Sequence, residues 1–431
     1  MNTFSRRQFL KLFGAASAVT AAGAFPRLAK AAAPARVVVV GGGFGGATVA
    51  KYLSMWGEGN VAVTLIDTNP KHVSCVLSNL VITGTLSSTR INLGFDALKT
   101  NYGINVVQGT ATRIDPAGNK ITINGNEDLY YDHLVLSPGI DFIPPQGTWN
   151  VNQTPHAWIA GPQTTLLKNQ LAGMRARDVF VMTVPQAPYR CPPGPYERAC
   201  VVADYIKRKR LTGAKVIVLD ANPAITAEPI AFGNAFSNTY KGIIQYVPNA
   251  TVTSVNSSTR SIVTTARTVN NARVLNYIPN QRAGKIAQRF ANASGFVPVN
   301  PLTYAVSGHS NIHVIGDSCA VPASVGKSVP KSAHMANAEA KVCADAIIRS
   351  LNGELPDEDI ATNSACFSPI TNKTASWLST SFIYGDIVDA AGNVIGKGMN
   401  RVDIGEADSV SSGNYEDMFT WADSLFSDCY T

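Results

Sequence analysis

Cys191 and Glu197 are the residues to weigh first. They stand six positions apart in residues 187–200, APYRCPPGPYERAC. A held thiol beside a carboxylate suits disulfide exchange or nucleophilic attack, with the carboxylate moving protons. Pro192, Pro193, Gly194 and Pro195 follow the cysteine. Prolines fix φ and withdraw backbone donors, so the loop reads as rigid and non-helical to about Tyr196. Glu197 has a second reading, as a simple cap on the helix that follows.

The elements around this loop say what such chemistry would serve. Residues 36–40 form an apolar strand ending in four valines, the pattern of a strand buried on both faces. GGGFGG follows and holds G-x-G-x-x-G at Gly41, Gly43 and Gly46. A helix over 47–55 and a second apolar strand over 61–66, ending at Asp67, complete the unit. Strand, glycine turn, helix, strand and acid in this order bind a dinucleotide: the glycines admit a pyrophosphate and Asp67 meets a ribose. Two later strands favour FAD over NAD. YDHLVLSPG at 131–139 resembles the second fingerprint of flavoproteins with two dinucleotide domains, and NIHVIGD at 311–317 ends in Gly316-Asp317. In that superfamily the aspartate binds the flavin ribityl chain. A helix over 332–350 would then point its N-terminal dipole at the flavin. Cys75 lies eight residues past Asp67 in KHVSCVLSN. It reads equally as a covalent anchor for the flavin ring edge and as a buried or disulfide-bonded cysteine.

A second βαβ unit is expected from a strand at 179–184, a helix at 199–208 and a strand at 215–219 ending at Asp220. Its turn has prolines where glycines would let a nicotinamide dinucleotide approach, so NAD binding is expected to be lost and Cys191 occupies the place. The predicted class is α/β, with two Rossmann-like domains and a C-terminal α+β interface domain. The flavin domain is discontinuous, at 34–154 and 295–355. The second domain covers 155–294, with its return strand at 276–284. The interface domain covers 356–431, with a hairpin over 387–397.

Residues 1–31 read as a twin-arginine signal: SRRQFLK at 5–11, a short apolar run, and Ala29-Lys30-Ala31 as the cleavage site. Export would place the protein in a periplasm, where disulfides persist. The chain carries a formal +7. Arg6, Arg7, Lys11, Arg27 and Lys30 fall within the signal without any acid, leaving +2, so the basic balance gives no argument for nucleic acid. No transmembrane segment is expected in the mature chain, and residues 415–431 are mildly acidic rather than a basic membrane-surface helix. The seven cysteines are 75, 191, 200, 319, 343, 366 and 429, an odd number. No C-x-x-C-H haem motif is present and no metal site is assigned.

Together the glycine turn, HVSCVLSN, YDHLVLSPGIDF, PHAW, RCPPGPYERA, PNQRAGKIAQ and HVIGDSC resemble the flavoprotein subunit of flavocytochrome c sulfide dehydrogenase, within the pyridine nucleotide-disulfide oxidoreductase superfamily. The resemblance implies FAD held by a thioether through Cys75, and a redox disulfide between Cys191 and Cys366. It also implies an acid–base role for Glu197, and Trp421 near the flavin; an ordinary core position is the other reading of that tryptophan. Sulfide would attack the disulfide, leaving a persulfide and a thiolate, and electrons would pass through FAD to a separate c-type cytochrome subunit. Cys200, close to Cys191 in sequence, could compete for it. Residues 221–273 match the family poorly. Three rival readings are a sulfide:quinone oxidoreductase, an NAD(P)H-dependent disulfide or persulfide reductase, and a non-catalytic flavin- or sulfur-binding component of a sulfur-oxidation complex.

Overall fold

Strand Ala35–Val40 runs through the centre of a six-stranded sheet. Val61–Asp67 pairs with it on one side and His133–Leu136 on the other, both in parallel. The full order is Ala305–Val306, His309–Val314, His133–Leu136, Ala35–Val40, Val61–Asp67, Asn105–Gln108. Only Ala305–Val306 runs antiparallel to its neighbour. Val37 to Val40 are all buried, as a covered parallel strand requires. The structure is a computed structural model and describes residues 33–431. The expected signal at 1–31 therefore lies outside the described residues.

A second, fully parallel sheet has the order Ile244–Val247, Lys215–Asp220, Val179–Val184, Val274–Asn276. Its two faces bury separate apolar clusters. The third sheet is antiparallel: Ala361–Pro369, Ala375–Val388 and Val394–Glu406. Asp389 closes its hairpin by accepting from the N–H groups of Ala391 and Asn393. The α/β class with parallel sheets is as expected.

Two local expectations differ. The helix predicted over 199–208 begins five residues earlier, as Gly194–Arg208. Pro195 sits in its first turn, where a missing N–H costs nothing and the fixed φ already suits a helix. The return strand expected at 276–284 is two short strands, Val274–Asn276 and Gln281–Ala283, separated by a stretch containing Pro279. The second turns back to pair antiparallel with Ile140–Phe142.

The last helix, Ser412–Tyr430, packs on the glycine-turn helix Phe44–Trp56. The Tyr430 hydroxyl donates to the Gly42 carbonyl at 3.1 Å. Lys51 donates to the carbonyls of Asp428 and Thr431, where the negative end of the helix dipole favours a cation. Among the described residues no helix is long and apolar enough to cross a membrane, and no cluster of His, Cys, Asp or Glu is placed to hold a metal.

Candidate active site

Cys191 follows the strand Val179–Val184 and precedes the helix Gly194–Arg208. Its φ of +58° is left-handed, a conformation that disfavours a side chain and needs outside support. Support comes from both directions. The Cys191 N–H donates to the Lys331 carbonyl at 2.7 Å, and its carbonyl accepts from the Gly194 N–H at 2.9 Å. Gly194 must be glycine, because a Cβ there would sit 2.7 Å from the Cys191 sulfur and 2.9 Å from the Trp158 ring. The thiol thus lies against the start of a helix.

Cys75, Cys191 and Cys366 line one cavity together with Glu197, Trp421 and His334. All three cysteines are half-buried free thiols. Cys366 reaches the cavity from the edge strand Ala361–Pro369. Burial raises the pKa of all three, with Cys366 pushed to about 12. After burial, the strongest influence on Cys191 is Cys366, as adjacent sulfurs require. Trp421 is a wall of this cavity, packed on Phe367 with 5.7 Å between ring centroids, and the same side chain also packs against the main apolar core. Cys200 is wholly buried among apolar residues and does not line the cavity, so it does not compete for Cys191. Cys319, Cys343 and Cys429 are also buried free thiols.

Glu197 does not cap its helix. Its Oε1 accepts from the Asn79 side-chain amide at 2.9 Å. The Asn79 oxygen in turn accepts from Arg198 Nε at 2.8 Å, which fixes which way the amide faces. Arg198 is 1% exposed and spends its remaining donors on the carbonyls of His156 and Ala157 and on Asn276. Its guanidinium also lies 5.0 Å from the centre of the Trp158 ring. Burial pushes Glu197 up to about 8, with the Asn79 hydrogen bond pulling the other way. At neutral pH the group therefore carries a proton and can act as an acid.

The sequence reading missed Asn79, Arg198 and Arg190. Asn79 sat within a quoted motif without a role. Arg198 carried a signal: a cation directly before the apolar run 199–203 on the same helix, beside Glu197, is placed to be paired inside. Arg190 forms an ion pair with Asp317 at 3.6 Å and donates to the Trp158 carbonyl. It links the Gly316-Asp317 turn to the cysteine loop.

The glycine turn does not line the cavity that holds Cys75, Cys191 and Cys366. A Cβ on Gly46 would fall 1.7 Å from the Gly41 oxygen, and one on Gly41 would fall 2.3 Å from the Ser137 oxygen. Gly43 is different: its nearest neighbour would be His72 at 3.7 Å, which leaves room in front of the turn. No side chain caps the helix Phe44–Trp56, so its first N–H groups remain available to a phosphate. Asp67 accepts from the Gly42 N–H at 2.7 Å and lines a groove of about 880 Å³ with Arg113, Lys285 and Arg289. These residues fit a dinucleotide. Gly316 and Glu339 line a further cavity, where the Gly316 N–H donates to Glu339 at 2.7 Å. Ser332 caps the helix Ala333–Leu351 beside it by accepting from the Met335 N–H.

Residues 164–279 match the central region of the sulfide dehydrogenase [flavocytochrome c] flavoprotein chain, and residues 35–157 match pyridine nucleotide-disulphide oxidoreductases. The sulfide:quinone oxidoreductase of Aquifex aeolicus shares the fold with a TM-score of 0.73, covering 92% of this chain and 91% of that one at 17% identity. Ferroptosis suppressor protein 1 of Taeniopygia guttata is 35% identical over 106 residues, which are 25% of this chain and 27% of that relative's length. The sulfide dehydrogenase [flavocytochrome c] flavoprotein chain of Chlorobaculum thiosulfatiphilum is 52% identical over 46 residues, which are 11% of this chain and 94% of the sequence it matches. The chain belongs to the family of the flavocytochrome c sulfide dehydrogenase flavoprotein chain.

Proposed function

We propose that the protein oxidises sulfide through a Cys191–Cys366 disulfide and FAD, and passes the electrons to a separate c-type cytochrome subunit. One observation carries the reading. Two cysteines 175 residues apart meet in one cavity with Cys75, Glu197 and Trp421. Hydrosulfide attacks one sulfur of the disulfide. The S–S bond breaks, a persulfide forms on the attacked cysteine, and the other leaves as thiolate. FAD, which the family implies, supplies a two-electron acceptor that can release its electrons singly.

The chain's own residues set the stage for this. The helix start beneath Cys191 and the Arg190 guanidinium favour an anionic sulfur. Glu197 gives its proton to a departing thiolate and recovers it when the disulfide reforms. Asn79 and Arg198 hold the carboxyl in place. Ser332 and the helix behind it present a positive dipole end to the cavity wall. Gly41, Gly43, Gly46 and Asp67 would hold the dinucleotide, Gly316 and Asp317 the ribityl region, and Cys75 would anchor the ring covalently. Twin-arginine export of the signal at 1–31 would place the protein in the periplasm.

The test is sulfide-driven reduction of cytochrome c by the flavin-loaded protein, with Cys191→Ser and Cys366→Ser beside it. Activity that falls roughly 10⁴-fold or more in either variant is expected, the scale of losing a nucleophile. Reduction of a quinone with none of cytochrome c would move the reading to a quinone-linked enzyme, and full activity in both variants would overturn it. Denaturing the protein tests the anchor separately: flavin is expected to stay on the peptide containing Cys75.

A further inference from the structure

Residues 331–334 hold the supports of both cysteines. Cys191 follows a strand of the second sheet, and Cys366 lies on the edge strand of the third. The Lys331 carbonyl accepts from the Cys191 N–H at 2.7 Å. The Ser332 hydroxyl lies 2.7 Å from that of Ser364, two residues before Cys366. His334 Nδ1 accepts from the Ala365 N–H at 3.0 Å, one residue before Cys366. The same nitrogen accepts from the Trp421 indole N–H at 3.4 Å.

This clamp is itself held. Lys331 is buried; its Nζ donates to the Cys319 carbonyl at 2.5 Å and lies 3.9 Å from the centre of the Phe296 ring. Ser332 caps the helix Ala333–Leu351, and Asn337 of that helix donates to the Thr48 hydroxyl at 3.0 Å, on the helix Phe44–Trp56.

An edge strand leaves half of its backbone groups without a strand partner. Ala365 stands opposite Ser379 of the next strand, yet its N–H turns to the open edge, where His334 takes it. One imidazole nitrogen thus serves two donors from two elements, the strand that carries Cys366 and the helix Ser412–Tyr430 that carries Trp421. With two N–H groups aimed at Nδ1, the proton of the neutral ring belongs on Nε2. Burial lowers the pKa of His334, which favours that neutral ring. Phe367, one residue beyond Cys366, packs directly on Trp421. Trp421 is therefore tied to both chain neighbours of Cys366, to Ala365 through His334 and to Phe367 by ring contact. All five side chains line the cavity of the cysteines.

We propose that His334 is a positioning residue for the cysteine pair: by holding the Ala365 and Trp421 N–H groups on one nitrogen, it sets Cys366 against Cys191 and against the Trp421 wall. This rests on the reading of the two cysteines as a redox disulfide. His334 acts through Ala365 and Trp421 and exchanges no proton or electron. Two thiols held in one geometry have a high effective concentration toward each other, so the disulfide closes readily.

The experiment reads the disulfide equilibrium rather than sulfide turnover. The flavin-loaded full chain is equilibrated without air in mixtures of reduced and oxidised dithiothreitol, then quenched with acid and alkylated. Peptide mass spectrometry follows Cys191 and Cys366. As the pair closes, its two electrons and two protons pass to dithiothreitol. In His334→Leu the closing constant should fall about 10-fold, the scale of one lost hydrogen bond. His334→Asn places an oxygen acceptor where Nδ1 stood and should restore most of it. An unchanged constant in His334→Leu, or equal losses in both variants, would overturn the proposal. A further check needs no variant: with ¹⁵N-labelled histidine, His334 should show a bare Nδ1 and a protonated Nε2 at pH 7, and the reverse tautomer would overturn it too. With ¹⁵N-labelled tryptophan, the Trp421 indole signal, assigned by its loss in Trp421→Phe, should move in His334→Leu and stay close in His334→Asn. A signal unmoved in His334→Leu counts against the role. Failure of the unaltered chain to form any Cys191–Cys366 bond would bring down the function proposed above and this role with it. A normal bond whose constant ignores His334→Leu would remove the role of His334 alone.

Discussion

The turn at residues 41–46 and the turn at 185–195 hold the same place in two βαβ units, each between a buried parallel strand and a helix. They treat the backbone in opposite ways. The first is glycine at every position but Phe44 and leaves room in front of Gly43. The second fills the space with prolines and aims a sulfur at its own helix start. Glycine is needed in both, for different neighbours. Gly46 clears the chain's own carbonyl, whereas Gly194 clears the Cys191 sulfur. A shared scaffold thus fixes where a site lies, and the turn decides whether a phosphate or a sulfur is presented there.

The largest effect is expected at the first turn. Gly46→Ala, with its Cβ 1.7 Å from the Gly41 oxygen, should leave the protein without flavin, read from absorbance at flavin wavelengths per mole of chain. Retention of normal flavin would break the contrast. The second turn is expected to ignore NADH, so a millimolar excess added without sulfide should leave the flavin colour unchanged. Bleaching would show that prolines do not exclude a nicotinamide there. Gly194→Ala should keep its flavin but displace the cysteine, lowering sulfide turnover and costing about 1–3 kcal/mol of stability in denaturant melts, the usual penalty of overpacking.

The smallest effects concern protons. Glu197 holds its proton up to about pH 8, above the ordinary carboxylate range, so an acid role fades as pH rises through that value. Stability falls from the ordinary carboxylate range up to that value, because the unfolded chain releases a proton that the folded state keeps, and levels off above it. Glu197→Gln should flatten the alkaline limb of sulfide turnover, and its melting temperature relative to wild type should improve between pH 5 and pH 9. Asn79→Ala removes a donor that favours the carboxylate, so the limb should move upward by about one pH unit.

Much of the scaffold was legible because it rests on local patterns. Valine runs gave the central strands, and the glycine spacing gave the first turn together with Asp67. Cys191, Glu197, Cys75 and Trp421 were singled out from composition and resemblance, and all line one cavity. The start of the helix at Gly194 was misplaced because proline was taken as a breaker, when in a first turn it helps. Asn79 and Arg198 were not singled out for a different reason. Asn79 meets Glu197 and Arg198 across 118 and 119 residues, and no spacing in the chain encodes those meetings.

The contact between Tyr430 and Gly42 joins residues 388 positions apart. The glycine turn emerges early in synthesis, yet the ring of Phe44 is covered by Phe426 and Tyr430 only after the helix Ser412–Tyr430 has been made. The glycine turn is therefore translated well before the segment that covers it. A ribosome stalled before Ser412 would leave a product in which the ring of Phe44 lacks the cover of Phe426 and Tyr430.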